Sequence, residues 1–328
     1  METSDGGLFF SIASFEESDL GSAYSLTFPL YRPLLEKLVA GNNSKERAVA
    51  FVARSSGSLI GLVLSRYTVM ECDFPDGQSV QNLDLLSVMT SPLWRHCGVA
   101  SALMSAMAEK GRSLGCVICK TGYTTKIGSL VALEHLLASA GWTPPMPQLH
   151  IALFRVSDMA KASWQWSLPS LPEGYELFVF SELRDEERAG IMAGIAAGYI
   201  PEELSPFADE KYQVPELSVG LRKGGDVVAW MTLTRAPHVA DALCYRSLFV
   251  HPKMRTGNGF GPLVAREAFY LHAASKITEE RPKGLFGTSF SATKQLNFAK
   301  KRLSPYCYDI YASKTATLLL QQEQHSAT

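Results

Sequence analysis

Residues 85–101 read Leu85-Leu86-Ser87-Val88-Met89-Thr90-Ser91-Pro92-Leu93-Trp94-Arg95-His96-Cys97-Gly98-Val99-Ala100-Ser101. An apolar run, a proline, a fixed cation and then small residues opening a helical pattern make a strand, loop and helix start. The first turn of a helix leaves backbone N–H groups unpaired and carries the positive end of the helix dipole. Gly98 and Ala100 keep side-chain bulk away from those amides, and Arg95 sets a permanent charge beside them. The chemistry this suits is binding of a diphosphate, with Arg95, His96, Cys97, Gly98, Val99, Ala100 and Ser101 as candidate contacts. A dinucleotide site is disfavoured: the three-glycine fingerprint is missing, as is the ribose-binding acid expected some twenty residues on.

A second copy follows. Pro92 and Pro252, and Arg95 and Arg255, are each 160 residues apart. Here Val250-His251-Pro252-Lys253-Met254-Arg255 leads into Thr256-Gly257-Asn258-Gly259-Phe260-Gly261, so the glycines stand one residue further from the arginine. Arg255, Gly257, Gly259 and Gly261 form a second candidate set, and Pro262 favours a true helix start.

The elements that position these turns repeat as well. Val99, Ala102, Leu103, Ala106 and Met107 follow the spacing of a buried helix face, as do Phe260, Leu263, Val264, Ala268 and Leu271. Residues 48–54 and 59–66 flank Ser55-Ser56-Gly57-Ser58, and 217–222 and 227–233 flank Lys223-Gly224-Gly225-Asp226, each reading as a β-hairpin. Strands are expected at 8–13, 116–120 and 175–180, and a helix at 130–140. Ser, Trp and Pro interrupt the pattern at 158–174, which reads as a semi-rigid linker. The expected division is a domain at 1–157, the linker, a domain at 175–320 and a flexible tail at 321–328. Internal duplication explains this economically.

With its strand, helix and repeat context, Arg95-x-x-Gly98-x-Ala100 resembles the acyl-CoA pyrophosphate turn of the GNAT superfamily of N-acyltransferases. The likeness extends to Gly141-Trp142, where members often have Gly-Phe. It spans most of residues 8–156 and, more weakly, 175–320. It implies an α/β (α+β) fold of two tandem GNAT-like domains, in an arrangement similar to mycothiol synthase. Each domain would hold a mixed, mostly antiparallel sheet with splayed parallel strands and flanking helices. Acetyl-CoA or a longer acyl-CoA would be co-substrate and a primary amine the acceptor. By the same likeness Val88, Met89 and Thr90 would meet the donor, a strand-end amide serving as oxyanion donor. Asp84 is the candidate base. The tyrosine that members often use as thiol acid corresponds to Leu137, so Tyr123, or in the second half Tyr306 or Tyr308, is the candidate substitute. His135, on an apolar helical face, is expected to pack. Without an acid the chain would be a GNAT-like module that binds CoA or a peptide without turnover.

At 328 residues, 46% apolar and 19% charged, the chain is long enough for two globular cores. A formal charge of −1 supplies no broad attraction for nucleic acid. No run is long and apolar enough to span a bilayer, and the acidic start Met1-Glu2-Thr3-Ser4-Asp5 is unlike a signal peptide, so a cytoplasmic address is expected. Six cysteines in this length are not a disulfide scaffold. Cys116-Val117-Ile118-Cys119 reads as buried strand, with no metal site expected. A small-molecule or peptide amine acceptor and a monomer or homodimer complete the expectation.

Overall fold

In both hairpins the two turn residues have positive φ: Ser56 48° and Gly57 78°, then Gly224 57° and Gly225 97°. This is the type I′ geometry whose twist matches paired strands, and it fixes the registers Ser55↔Ser58 and Lys223↔Asp226. The computed structural model describes residues 9–41, 47–71, 79–235, 239–255 and 259–320.

In chain order the elements begin with β1 (Ser11–Ser14), α1 (Leu20–Ala23), α2 (Arg32–Val39), β2 (Arg47–Ser55), β3 (Ser58–Glu71) and β4 (Ser79–Thr90). Next come α3 (Val99–Ser113), β5 (Ile118–Thr124), α4 (Leu130–Ser139), β6 (Met146–Arg155) and α5 (Val156–Met159). After these lie β7 (Tyr175–Val179), α6 (Asp185–Ala196), β8 (Val219–Lys223), β9 (Asp226–Arg235) and β10 (Ala242–Val250). The chain closes with α7 (Phe260–Ala274), α8 (Ile277–Glu280), β11 (Lys283–Ser289), α9 (Thr293–Phe298) and β12 (Cys307–Leu319).

Two compact units result, the described residues of Met1–Pro147 with Ser313–Thr328, and Gln148–Ala312. Strand order in the first is β1-β2-β3-β4-β5-β12, and in the second β7-β8-β9-β10-β11-β6. Each unit therefore takes its final strand from the chain segment that follows the other: Ser313–Leu319 pair antiparallel with β5, and Leu149–Arg155 with β11. This is where the structure differs from the division expected at 157/158 and 320. The reading of 158–174 as a linker differs too. Met159, Ala162 and Trp164 are apolar and buried in the second unit's core, so the segment's first half is packed there, while Trp166 is exposed.

In the first unit α3 and α4 cover one sheet face, with Val99, Leu103, Met107 and Leu137 packed on Val63, Leu83 and Cys119. Helices α1 and α2 cover the other face over Val52, Leu62 and Leu64. Gly61 on β3 lets α3 come close: a Cβ there would lie 2.9 Å from Val99 Cγ1 and 3.0 Å from Leu103 Cδ1. In the second unit α7 packs on Ala229, Met231 and Tyr245, while α6 covers Phe178, Trp230 and Phe249.

An acid–arginine pair also recurs. The Asp19 carboxylate accepts the backbone N–H of Glu16 at 2.9 Å and meets Arg54 Nη2 at 2.7 Å. Glu187, buried, accepts the backbone N–H of Arg184 at 3.0 Å, and its other oxygen lies 2.8 Å from Arg222 Nε, a contact of ion-pair distance but not hydrogen-bond angle. In each unit the acid ties the opening of the first helical segment to the second strand. Removing one partner of a buried pair of this kind costs roughly 3–5 kcal/mol.

Candidate functional site

Strand β4 is parallel to β5 only over Asn82–Leu85, paired with Ile118–Thr121. On its other side β4 stays paired with β3 as far as Thr90, but the register slips between Leu64 and Ser65, leaving Leu86 as a bulge. A bulge bends its strand. The last parallel rung therefore sits directly before the bend, closed by Thr121 Oγ1 donating to Leu85 O at 3.2 Å. Beyond it the β5-facing edge of Ser87, Val88, Met89 and Thr90 has no strand partner among the described residues. Such an edge offers hydrogen bonds to an extended chain laid along it.

At the end of that edge Ser91 turns the chain into a single 3₁₀ turn, Pro92–Trp94, and α3 begins at Val99. The sign of φ alternates here: Arg95 −70°, His96 +64°, Cys97 not positive, Gly98 +78°, then helical Val99. Alternation of this kind curls successive N–H groups into an anion-binding concavity. A non-glycine residue at positive φ costs of order 1–3 kcal/mol, and strain of this sort gathers at functional sites. Ala102 N donates to Gly98 O at 3.0 Å, the first bond of the helix. Among the described residues the N–H groups of His96, Cys97, Gly98, Val99, Ala100 and Ser101 find no acceptor, and the exposed Arg95 has no acidic partner. Gly98 would meet nothing within 4 Å if given a Cβ; its need is conformational, not steric. These six amides and Arg95 fit a diphosphate, and the unpaired strand edge fits the amide-bearing arm of an acyl-CoA.

His96 also lines a concavity of about 450 Å³ with Ser129, Leu130 and His135 at the start of α4. His135 is exposed, unlike the packed residue expected, because it lies on the outer side of α4 opposite buried Leu137.

On the face carrying α1 and α2, a second cavity of about 480 Å³ opens beside the fork, lined by Tyr31, Arg66, Asp84, Leu86, Lys120 and Thr315 among others. Asp84 is the cross-strand partner of both Arg66 and Lys120. It stands one residue before the last parallel rung.

Tyr123, near the end of β5, donates its hydroxyl to Glu134 Oε1 at 3.1 Å, and Lys314 Nζ donates to the same oxygen at 2.8 Å. Burial, then the bond to Glu134, holds the Tyr123 phenol well above its usual range, so it keeps its proton. The Lys314 hydrogen bond, followed by that of Tyr123, lowers Glu134. Leu137 is fully buried in the core. Tyr306 and Tyr308 fall in the second unit. The Tyr306 oxygen accepts Ser163 N–H at 3.1 Å and shares a hydrogen bond with Ser163 Oγ at 2.9 Å, an arrangement that lowers the phenol. Tyr308 is half exposed, with the Arg155 guanidinium 6.0 Å from its ring centre. Cys116 and Cys119 are buried in the first unit's core, and burial pushes Cys119 up to about 12.

The second unit repeats the fork. Strand β10 is parallel to β11 over Ala242–Tyr245, and Arg246 is the bulge against β9. Here the groups are used internally. Arg246 Nε donates to Asp209 at 2.7 Å and Nη1 to Glu203 O at 3.1 Å, and Tyr245 shares a 3.0 Å hydrogen bond with His272. Arg255 Nε donates to Val250 O at 2.9 Å. Gly259 caps α7 at φ 62°, and a Cβ at Gly261 would press on Val250 at 3.4 Å. Gly257 lies outside the described residues.

The bulges, the acid–arginine pairs, His96 strain and the Glu134–Lys314 contact had no part in the sequence reading. Asp19/Arg54 and Glu187/Arg222 share a separation of 35 residues, a signal a systematic comparison of the halves would find.

Residues 15–127 match the Acetyltransferase (GNAT) family. No curated protein matches the sequence. Among solved structures, the chain is similar to a tandem GNAT protein from the clavulanic acid biosynthesis pathway, with 13% identity, TM-score 0.58, and coverage of 95% of this chain and 99% of that one. It is also similar to a GCN5-related N-acetyltransferase from Sphaerobacter thermophilus, with 14% identity, TM-score 0.55, and coverage of 95% and 96%. A glucosamine N-acetyltransferase region of a fungal multi-domain beta-N-acetylglucosaminidase gives 14% identity and TM-score 0.59, covering 95% of this chain and 38% of that one. The family match thus lies within the first unit, and the likeness to solved structures shows a fold of two tandem GNAT-like units. No helix among the described residues is long and apolar enough to cross a membrane.

Proposed function

We propose that the protein moves an acetyl or longer acyl group from CoA to a primary amine by direct attack on the thioester, with the donor held in the first unit. The observation that carries this reading is the set of amides at residues 96–101, unpartnered among the described residues, beside Arg95 at the mouth of the fork after Leu85. Residues 88–90 would line the donor's arm, one of their N–H groups meeting the oxygen that gains charge as the amine adds. Asp84, on the acceptor side of the fork, would take the amine proton directly or through a water. As the carbon–sulfur bond breaks, the departing sulfur needs a proton, and Tyr123 would supply it. Its hydroxyl would turn from Glu134 toward the sulfur, while Lys314 keeps Glu134 in place.

Leu137 favours a second reading. The side chain at the position of the usual acid is apolar and fully buried, as it would be in a GNAT-like module that binds without turnover. Incubation with acyl-CoAs of graded length and an amine panel, read by mass of the N-acyl product, separates the two. Amine-dependent product is expected, with Tyr123→Phe lowering kcat at least ~100-fold, the lower end of the range for general acid–base residues. Donor binding without product from any pair would overturn catalysis and leave the binding module.

A further inference from the structure

The cavity beside the fork carries a row of charges that the fold does not require. In the first unit the cross-strand row reads Arg66, Asp84, Lys120, Thr317. The matching row of the second unit, one residue before its own last parallel rung, reads Thr234, Cys244, Leu285, Leu153. The same fork, bulge and strand order thus form with no charge at all, and the duplicated unit acts as an internal control. Asp84 and Lys120 are also not consumed by each other. Opposite charges on directly paired strands commonly meet. Yet among the described residues neither Asp84 nor Lys120 has a hydrogen bond or ion pair from its side chain.

Resting on the acyl-transfer reading above, we propose that this cavity takes a zwitterionic amine: an amino acid, or another amine with a carboxylate within two or three bonds of its nitrogen. Asp84 receives the amino group, and Lys120 receives the carboxylate. The spacing suits this class, since adjacent strands lie about 4.8 Å apart, which places an acid and a base one strand spacing from each other. A cavity of about 480 Å³ is the size of a small-molecule site. The amine is set beside the last rung at Leu85 and Thr121, where the two sheet faces communicate through the opening fork.

The test uses matched substrates with the full-length protein and the acyl-CoA it binds: several amino acids, the same amines lacking the carboxylate, and the aminoalkyl phosphates. Product is measured by mass. The expected result is a kcat/KM at least ~10-fold higher for the amino acids, equivalent to about 1.4 kcal/mol. In Lys120→Met, its fold checked by melting temperature, that ratio should fall to within ~2-fold of unity. Equal or better acylation of the plain amines overturns the proposal while leaving acyl transfer intact. Preference for the phosphates overturns the carboxylate assignment. If no pair gives product, the acyl-transfer reading fails, and calorimetric binding of the same pairs decides the proposal: tighter binding of the amino acids upholds it, equal binding refutes it.

Discussion

The two units share strand order, a bulge after the last parallel rung, a glycine-capped central helix and an acid–arginine clasp, yet treat the fork in opposite ways. In the first, Leu86 occupies the bulge, Arg95 is exposed with no acidic partner among the described residues, and a charged row faces a cavity. In the second, Arg246 occupies the bulge and is tied to Asp209 and Glu203, and Arg255 is turned onto the Val250 carbonyl. Tyr245 is locked to His272, whose other nitrogen contacts the Arg281 carbonyl at 2.8 Å. The first unit thus keeps Arg95, Asp84 and Lys120 out of side-chain bonds among the described residues, and the second satisfies Arg246 and Arg255 internally. Catalytic machinery needs groups held by the scaffold but not consumed by it; a unit serving as support gains from the reverse.

Because each unit borrows its last strand, the sharpest way to break the comparison is to cut the chain. Deleting residues 313–328 removes the partner of β5 and the buried Ala316 and Leu320 from the first unit. The expected outcome, read by hydrogen exchange, is loss of protection throughout the first unit and of donor binding, with the second unit, completed by β6, still protected. Retained protection of β4 and β5 would contradict the exchange of strands.

A smaller effect should come from pH. Burial lowers His272 and His150, both in the second unit, below the usual 6.5. The folded unit keeps them neutral while the unfolded chain takes up protons below that value, so stability is full above about 6.5 and is lost as pH falls toward the folded pKa. In the first unit the lowered group is Glu134, whose contribution is full above its usual 4.5 and is lost only below it. Between about pH 6.5 and 4.5 the second unit should therefore weaken first in hydrogen exchange corrected for intrinsic rates. His272→Gln should flatten that limb. Simultaneous weakening of both units would refute the assignment.

Much of the architecture was legible because local chemistry dictated it. Ser56-Gly57 and Gly224-Gly225 announce their hairpins, and the spacing of Val99, Leu103 and Met107 announces the helix whose start forms the turn. The site was legible only where backbone geometry makes it, at Arg95 to Ser101. The exchanged strands were not, since β6 and β12 have the same apolar character in either unit and only long-range pairing chooses between them. Nor was the cavity, because Arg66, Asp84 and Lys120 lie far apart in the chain and meet only through register. Trp164 read as linker because its neighbours Ser163, Gln165 and Ser167 are polar, while its burial depends on a core elsewhere.

The central claim is that one diphosphate-bearing donor binds, at the first turn. Native mass spectrometry with acyl-CoAs of graded length measures this directly on the wild type, Arg95→Glu and Arg255→Glu. The account predicts one donor per chain in the wild type, loss of at least ~10-fold in affinity in Arg95→Glu, where a repulsive carboxylate replaces the cation, and little change in Arg255→Glu. Two donors per chain, or one that survives Arg95→Glu and is lost in Arg255→Glu, would contradict it.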